Sequence, residues 1–467
     1  MSKATIHYHD IGDYLSREAK LAIIKKNHSI ANMQWQTLTP NEHGDWLNQR
    51  NDAFSTFIPL EPEKKFDAKA KSFFIANSLG TVTARDSWVY NFSTEVLSSN
   101  IKKTIEHYNS ERELVNAGGQ PEVITNSLLG SWSRDWQNNL KKNKAILENP
   151  NEYRLTAYRP FVKINSYFDD DLNQERYQLL KVFPTKNHKN LLICVSGVGA
   201  SKDFSVLITN NIPNYDSIEK SNCFPLYYYE ENESRQTTLF DKADEGKYIR
   251  RDAVSDFILE RAKQQYGKIV TKEDIFYYVY GFLHSPKYRE MFASDLKKML
   301  PRLPLVDDVR NFWAFSKVGR ALAELHLNYE KAGKCPGVVE YNTLSVSGSL
   351  KQANAKEVKY FDYRVEKMRF PKKDQKDTII YNSQITLKKV PAQAYDYVVN
   401  GKSAIEWIME RYQIMTHKES GIVNDPNDWS KETGNPRYIL DLLLSVINVS
   451  VQTMKIVENL PDVKTEE

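Results

Sequence analysis

Apolar residues at helical spacing between positions 251 and 335 constrain the fold of this chain more than any other feature. A helix buries one face when apolar side chains recur at i, i+3 or i+4, and i+7. Three windows follow this pattern, at Ile275, Phe276, Val279, Phe282 and Leu283, at Tyr288, Phe292 and Leu296, and at Phe315, Val318, Leu322 and Leu325. Ser285-Pro286 is typical of the start of the second helix. The sequence therefore predicts a helical subdomain at 251–335 whose aromatic residues belong to the core.

Strand-like and helical patterns alternate on both sides of this subdomain. Strands are predicted at 72–76, 87–92, 155–168, 190–196, 205–209 and 224–229, and helices at 94–108, 132–147 and 174–182. Residues 335–357 are rich in small and polar residues and predict a linker or long loop. A strand at 358–369 and a hairpin of 378–381 with 384–388 follow. The predicted fold class is α+β with mixed sheets.

Capping signals place helices near both ends of the chain. Ser16 is suited to cap a helix at 17–26, after a short strand at 5–9. Ser403 and Glu406 form an S-x-x-E capping box. Asn435-Pro436 predicts the start of an apolar last helix. A chain of 467 residues exceeds one typical core, so we expect two or three domains.

Composition excludes several classes of protein. The 64 basic and 60 acidic residues leave a net charge of +4, too little to indicate a nucleic-acid partner without local patches. Cys194, Cys223 and Cys335 form no CxxC pair, which predicts reduced thiols and neither a zinc site nor a disulfide framework. We find no unbroken apolar run of about 18 residues and no secretory signal pattern, so we expect no membrane partner and a cytoplasmic location.

Catalytic motifs are missing or incomplete. The segment 197–202, GVGASK, follows a predicted strand but matches neither phosphate-loop pattern. Four E-x-K triplets occur, the number that chance gives in so charged a chain, and the glycine-rich and proline loops of an adenine methyltransferase are not found. No G-x-S-x-G or H-E-x-x-H occurs. We expect no catalytic residue, no metal site and no catalysis by this chain alone.

Arginine and lysine interleave with aromatic residues in three segments, 83–93, 156–169 and 363–370. DNA offers such side chains phosphates and the two acceptors of guanine. Alternation on a strand places aromatics inward and charges outward without any ligand, which is the plainer explanation. From charge and strand or loop placement, the candidate DNA-binding residues are Arg85, Tyr90, Arg154, Arg159, Lys163, Lys202, Arg364, Lys367, Arg369 and Lys388.

Several strings together resemble the C-terminal specificity region of Type ISP restriction-modification enzymes. They include YHDIGDYLSREAKL (8–21), PNEHGDWLNQRNDAF (40–54), TARDSWVYNFS (83–93), YRPF (158–161), FPLYYY (224–229), YVYGFLHSPKYRE (278–290), DLKKMLPRLPL (295–305), YRVEKMRF (363–370), NGKSAIEWIMERYQ (400–413) and GIVNDPNDW (421–429). The resemblance covers nearly the whole chain in family order. It implies that 1–70 is the trailing part of an adenine methyltransferase domain. It also implies a target-recognition region built from 71–250, the helical insertion 251–335, and 336–467 with its hairpin and C-terminal helices.

The resemblance implies that this chain recognises double-stranded DNA in an antiviral restriction system. Nuclease, motor and methyltransferase domains would lie upstream, on another polypeptide if the chain is a split subunit rather than a fragment or gene remnant. S-adenosylmethionine, ATP and Mg²⁺ are then expected only for those domains, with no cofactor in this chain. Two alternatives stay open: a methyltransferase or nuclease with degenerate motifs, and a protein-interaction subunit that does not touch DNA.

Overall fold

The chain divides after Thr56 into two units, Met1–Thr56 and Phe57–Glu467. The computed structural model describes residues 4–12, 15–119, 132–233, 246–342, 360 and 362–462. The division falls earlier than the boundary predicted after residue 70. Strand β3 (Ile58–Pro59) pairs with β14 (Arg302–Leu303), and the Phe73 N–H donates to the Pro59 carbonyl at 2.9 Å. Residues 57–70 are therefore tied into the second unit.

The first unit contains a two-stranded ribbon and two helices. Strands β1 (Ile6–Tyr8) and β2 (Gln36–Leu38) pair antiparallel. Helix α1 (Arg17–Asn27) begins at the predicted cap, where the Ser16 hydroxyl accepts from the Ala19 N–H at 3.2 Å, and α2 spans Asp52–Thr56. No side chain of α1 is buried. The strand and helix predicted here are confirmed.

Two four-stranded sheets form the centre of the second unit, with spatial orders β10-β6-β7-β5 and β4-β11-β8-β9. Short ribbons and one three-stranded sheet, β15-β17-β16, surround them. The other strands of this unit are β4 (Ser78–Leu79), β5 (Tyr90–Asn91), β6 (Tyr153–Arg159), β7 (Val162–Tyr167), β8 (Leu192–Val195), β9 (Val206–Thr209), β10 (Ile212–Pro213), β11 (Asn222–Pro225), β12 (Tyr227–Glu231), β13 (Tyr248–Asp252), β15 (Val339–Asn342), β16 (Ile379–Ile380), β17 (Ile385–Lys388), β18 (Val398–Val399), β19 (Lys402–Ser403), β20 (Met415–Thr416) and β21 (Val423–Asn424).

Helices pack around these sheets, and most begin at a capping side chain. They are α3 (Asp86–Val89), α4 (Thr94–Asn116), α5 (Arg134–Lys141), α6 (Leu179–Val182), α7 (Asp256–Tyr266), α8 (Lys272–Phe282), α9 (Pro286–Met291), α10 (Ala293–Lys298), α11 (Val309–Leu327), α12 (Ala404–Arg411), α13 (Pro426–Glu432) and α14 (Tyr438–Val457). The predicted capping box is present, because the Ser403 hydroxyl accepts from the Glu406 N–H and the Glu406 carboxylate accepts from the Ser403 N–H. Helices and strands interleave, so the predicted α+β class is confirmed.

Helices α8 and α11 pack closely because both carry glycine at their crossing. A Cβ added at Gly281 would lie 2.1 Å from the Phe315 carbonyl oxygen, and one added at Gly319 would lie 1.9 Å from the Tyr277 carbonyl oxygen. Any side chain at either position would force the helices apart. The helices predicted from the apolar spacing around Ile275 and Phe315 are confirmed, whereas the one predicted through Tyr288, Phe292 and Leu296 is divided at Phe292 into α9 and α10. They lie in the same unit as the sheets, since the Tyr280 hydroxyl of α8 accepts from the Ile208 N–H of β9.

Helix α14 crosses the core of the second unit. By length and composition alone it could span a membrane, with a mean hydropathy of 1.5 over its most apolar window. Its sequence contains no unbroken apolar run of about 18 residues, because polar residues such as Ser445, Asn448 and Ser450 interrupt it. In the structure 67% of that window is buried inside the protein, and the Ser445 hydroxyl donates to the Tyr329 carbonyl at 2.6 Å. Its apolar composition is that of a core helix.

Three of the strands predicted before residue 251 are wrong in form. In the run 72–76 only Phe74 forms a bridge, to Val254. The run 155–168 is a hairpin, because the chain turns at Pro160-Phe161 and Arg159 pairs with Val162. Phe161 adopts the left-handed backbone region at φ 60°, and its ring packs against the Tyr329 ring at 5.3 Å. In the run 87–92 the first three residues belong to helix α3, whose first turn is held by a hydrogen bond between the Thr83 hydroxyl and the Asp86 carboxylate, and only Tyr90 and Asn91 form a strand, β5.

The region after residue 335 also differs from the predictions. Residues 339–342, assigned to the linker, form strand β15 on β17, and 343–359 lie outside the described residues. Among the described residues of the strand predicted at 358–369, only Arg369 forms a bridge, to Ile380. The hairpin of β16 and β17 is confirmed. The last helix begins at Tyr438 rather than Asn435, because residues 435–437 form a turn in which the Tyr438 N–H donates to the Asn435 carbonyl at 3.2 Å.

Candidate nucleic-acid interface

A cleft of about 600 Å³ lies between the residues 84–92, the β6–β7 pair and the hairpin of β20 and β21. Two asparagines attach the hairpin to the edge strand β5. The Asn91 amide donates to the Val423 carbonyl at 3.1 Å, and the Asn424 side-chain oxygen accepts from the Phe92 N–H at 2.9 Å. The cleft therefore joins segments that are more than 300 residues apart in the sequence.

Two arginines lie close to Tyr158, whose side chain lines this cleft, but only Arg411 lines the cleft itself, and Arg159 lines a separate small cavity. The Arg159 guanidinium lies 4.0 Å from the centre of the Tyr158 ring and donates to the Tyr158 carbonyl at 2.6 Å and to the Asn214 side-chain oxygen at 2.9 Å. Arg411 lines the cleft and forms an ion pair with Glu410 at 3.0 Å. Burial lowers the pKa of Arg411, and the positive charge of Arg159 lowers it further. Two cations are thus held close together, an arrangement that an incoming anion would stabilise.

The hairpin of β20 and β21 projects from this cleft as a short polar ribbon. Its turn contains His417, Lys418 and Glu419, all exposed, and Gly421 at φ 68°. The turn is closed by the His417 N–H donating to the Ile422 carbonyl at 2.9 Å. The major groove of B-DNA is about 12 Å wide and admits a two-stranded β-ribbon. The hairpin therefore has the form of an element that enters a groove, with Lys418 at its tip.

Two of the predicted residues, Arg85 and Tyr90, line the cleft but are buried. The Arg85 guanidinium donates to the Leu172 carbonyl and to the Ser133 hydroxyl, both at 2.7 Å, and burial lowers its pKa to about 10. Tyr90 is 4% exposed, its hydroxyl accepts from the Asn214 amide at 3.2 Å, and burial raises its pKa. Both side chains support the wall, and Arg159, which lies next to Tyr158 and near Arg411, is the predicted residue beside the cleft.

Three further predicted residues lie on the segment beside the hairpin. Arg364 forms an ion pair with Asp425 at 3.0 Å, directly after strand β21. The Ile414 N–H donates to the Glu366 carbonyl at 3.0 Å, which places Lys367 next to the start of β20. Lys367 and Arg369 are exposed. The structure thus brings Arg364 and Lys367 to the base of the hairpin, and Arg369 continues along the same segment.

Of the predicted residues only Arg85 and Tyr90 line the cleft, and four of the others lie away from both the cleft and the hairpin segment. Arg154 is 8% exposed and forms an ion pair with Glu152 at 3.4 Å. Lys163 forms an ion pair with Glu330 at 2.9 Å. Lys202 and Lys388 are exposed, the first beside Gly401 and the second with its ammonium 4.3 Å from the centre of the Tyr341 ring.

Sequence reasoning missed Arg411 and the hairpin with Lys418. The signal was present in MTHKESGIVN (415–424), where Met415 on one side and Ile422-Val423 on the other flank a polar turn that contains glycine. Each strand has only two residues, too few for alternation to be visible.

One group in the described part of the chain has the spacing of a metal site. Carboxylate and imidazole atoms of Glu42, His43 and Asp52 lie within 4.8 Å of one another, and all three residues are exposed. Exposed acidic groups commonly come together without a metal. The three cysteines are free thiols and buried, as predicted.

Comparison with known proteins identifies the family. The family profile of the Type ISP C-terminal specificity domain matches residues 72–442. A nuclease-deletion mutant of the Type ISP restriction-modification enzyme LlaGI, solved with a DNA substrate mimic, is 37% identical with a TM-score of 0.82, over 98% of this chain and 33% of that chain. The ATP-dependent Type ISP enzyme LlaBIII bound to DNA is 35% identical with a TM-score of 0.84, over 99% of this chain and 28% of that one.

A DrdV–DNA complex is 26% identical with a TM-score of 0.79, over 99% of this chain and 44% of that one. Comparison with curated proteins finds no match. The chain therefore spans about a third of the length of its solved Type ISP relatives. Since the family profile covers most of its length, the chain belongs to the Type ISP C-terminal specificity domain family.

Proposed function

We propose that this chain reads the base sequence of double-stranded DNA for a restriction-modification system. The observation that carries the proposal is the polar hairpin of β20 and β21 beside the arginine pair Arg159 and Arg411. Type ISP relatives that share the fold were solved with DNA or a DNA mimic, which supports the same partner here. In this proposal the hairpin enters the major groove while exposed cations on either side meet phosphates.

The cations divide into two roles by their surroundings. Lys418 and Lys367 are exposed lysines, suited to phosphates as compact charges that give salt-dependent affinity. The Arg159 guanidinium lies 4.0 Å from the centre of the Tyr158 ring and donates to two oxygens, so its position is fixed. A planar guanidinium in fixed position suits bidentate recognition of guanine, worth about 1–3 kcal/mol of discrimination.

The catalytic steps would belong to domains outside this chain. The chain would position DNA for adenine-N6 methylation and for cleavage driven by a motor, and S-adenosylmethionine, ATP and Mg²⁺ would be bound by those upstream domains. The first unit supports a protein partner, because helix α1 exposes the apolar side chains of Leu21 (54%) and Ile24 (58%) three positions apart. Apolar groups exposed together commonly mark a contact surface. A cytoplasmic location follows from the same proposal.

Binding to duplex DNA tests the proposal directly. Pooled random duplexes would be selected on the purified chain, and the affinity for the selected duplex measured by fluorescence anisotropy at several salt concentrations. We expect Lys418→Ala to weaken all duplexes alike and to lower the slope of log K against log salt by about 0.9. We expect Arg159→Ala to weaken the selected duplex about 5- to 150-fold and an unrelated duplex much less.

Arg310→Ala is the matched control, because Arg310 is an exposed arginine paired with Asp308 and does not line the cleft. Equal losses in the control and in Lys418→Ala, or no selection of any duplex, would contradict the proposal. Incubation of the chain alone with duplex and either Mg²⁺ or S-adenosylmethionine adds a further arm. A cleaved or methylated product would show that the chain is itself an enzyme.

A further inference from the structure

A second cavity, of about 480 Å³, shares no lining residue with the cleft. It lies among residues 203–205, the helices α9 and α10, the loop at 396–401 and the end of α14. Its wall includes the apolar residues Phe204, Pro286, Val398 and Met454. Its volume is in the range of small-molecule sites, about 300–1,000 Å³.

The polar end of this cavity holds a partly buried cation, Arg289, without an acidic partner in the described part of the chain. The Arg289 Nε donates to the Leu283 carbonyl at 2.6 Å, and its guanidinium carbon lies 5.7 Å from the centre of the Phe204 ring. Burial lowers the pKa of Arg289, and only the tyrosines 397 and 280 oppose that effect. Among the described residues no carboxylate forms an ion pair with it. A partly buried positive charge without a carboxylate partner is unfavourable unless an anion binds to it.

Two other buried side chains that line the cavity have polar atoms without a hydrogen-bond partner in the described part of the chain. They are the Nε2 atom of His284 and the hydroxyl of Tyr397, in residues that are 3% and 5% exposed. The His284 Nδ1 atom lies 2.8 Å from the Tyr280 carbonyl oxygen, so Nδ1 carries the proton and Nε2 is an acceptor when the ring is neutral. Buried polar atoms are rarely left unbonded in proteins.

The polar groups of Arg289, Tyr397 and His284 define the chemistry of a ligand that would complete their hydrogen bonds. Arg289 and the Tyr397 hydroxyl offer donors, and His284 Nε2 offers an acceptor. A water molecule could bond His284 and Tyr397 but would bring no charge to Arg289. A hydrogen phosphate group has anionic oxygens for the two donors and one P–OH for the acceptor. The apolar wall leaves room for an organic group attached to the phosphate.

We propose that this cavity binds a phosphate monoester, with its phosphate on Arg289, Tyr397 and His284 and its organic part against the apolar wall. The carboxylates that line the cavity, those of Asp203, Glu290 and Asp396, belong to exposed residues. Asp203 pairs with Lys297 at 3.3 Å, and none of these carboxylates acts on the pKa of Arg289. The polar end of the cavity is thus cationic, even though its entrance has both acidic and basic side chains. The phosphate could come from a free nucleotide or from the 5′ end of a DNA strand.

Isothermal titration calorimetry of the whole chain tests this site without reference to sequence recognition. Inorganic phosphate and AMP are titrated at constant ionic strength balanced with chloride. We expect saturable binding of both, with AMP the tighter. We expect Tyr397→Phe to weaken both about ten-fold, the loss for one hydrogen bond to a charged group. The fold should tolerate this change, because the hydroxyl has no partner within the described residues.

Tyr329→Phe is the matched control, since its hydroxyl is also buried without a partner but does not line this cavity. It should bind both probes as the unaltered chain does. No saturable binding of either probe up to roughly 10 mM, or an unchanged affinity in Tyr397→Phe, would overturn the proposal. A duplex with and without a 5′ phosphate distinguishes the sources. Competition with AMP by the phosphorylated duplex alone assigns the site to a DNA end, and competition by neither assigns it to a free nucleotide.

Discussion

Replacing Gly319 by alanine tests the close packing of α8 on α11. The added Cβ would lie 1.9 Å from the Tyr277 carbonyl oxygen. Ordinary contact needs about 3.5 Å, so the helices must separate locally by about 1.5 Å. Overpacking costs about 1–3 kcal/mol, and here the obstacle is backbone that cannot rotate away. Alanine regains about 1 kcal/mol of helix propensity over glycine. Because the obstacle is backbone, the upper half of that cost applies, about 2–3 kcal/mol, and after the gain in helix propensity we expect a net loss of about 1–2 kcal/mol in the free energy of unfolding.

The measurement is urea unfolding of the whole chain followed by circular dichroism. Lys317→Ala, an exposed change on the same helix, is the control and should alter the midpoint little. Gly281 faces Gly319 across the crossing, since a Cβ at 281 would lie 3.0 Å from the Gly319 nitrogen. Helices already separated by one alanine accept the second more easily, so the double variant should lose less than the sum of the two. Strict additivity, or a Gly319→Ala chain as stable as the unaltered one, would refute this account of the crossing.

Two further predictions concern stability. Burial, and secondarily the charge of Arg289, lowers the pKa of His326 from 6.5 to about 3. As the pH falls, the unfolded chain therefore binds a proton at this histidine before the folded chain does. The stability that this group contributes is full above pH 6.5 and is lost as the pH falls toward 3. The loss in the free energy of unfolding should reach about 2 kcal/mol at pH 5. The difference between the urea midpoints at pH 7 and pH 5 should be smaller in His326→Gln than in the unaltered chain. An identical difference in both would contradict this assignment. Ser403→Ala removes the capping box of α12 and should lower the free energy of unfolding by about 1 kcal/mol in the same assay, whereas an unchanged midpoint would show that the cap is dispensable.

The sequence revealed those parts of the fold that depend on local pattern. Helices α8 and α11 have full apolar periodicity, and the Ser403 cap is defined by two residues three positions apart. The turn at Pro160-Phe161 was missed because Phe161 adopts a left-handed conformation that a bulky residue rarely takes. Its cost is offset by ring contacts with residues far along the chain, which no local pattern encodes.

The candidate site was harder to predict because basic side chains look alike in sequence. Arg85 and Arg159 both stand beside aromatic residues, yet the Arg85 guanidinium is bonded inside the protein to Leu172 and Ser133. Those partners are 87 and 48 positions away. Lys418 lies in a turn between two strands of two residues each, and strands this short show no alternating pattern in the sequence. Long-range contacts, rather than composition, decide which cations face solvent.

The attachment of the β20–β21 hairpin to strand β5 has a consequence for synthesis of the protein. Asn91 and Val423 are 332 residues apart, and Thr94 is bonded to Glu432 across 338. A ribosome adds about 5–20 residues per second, so the early strand waits roughly 15–70 s for its partner to emerge. During that interval the nascent chain exposes an unpaired edge, and any shortened translation product that stops before Val423 would retain it.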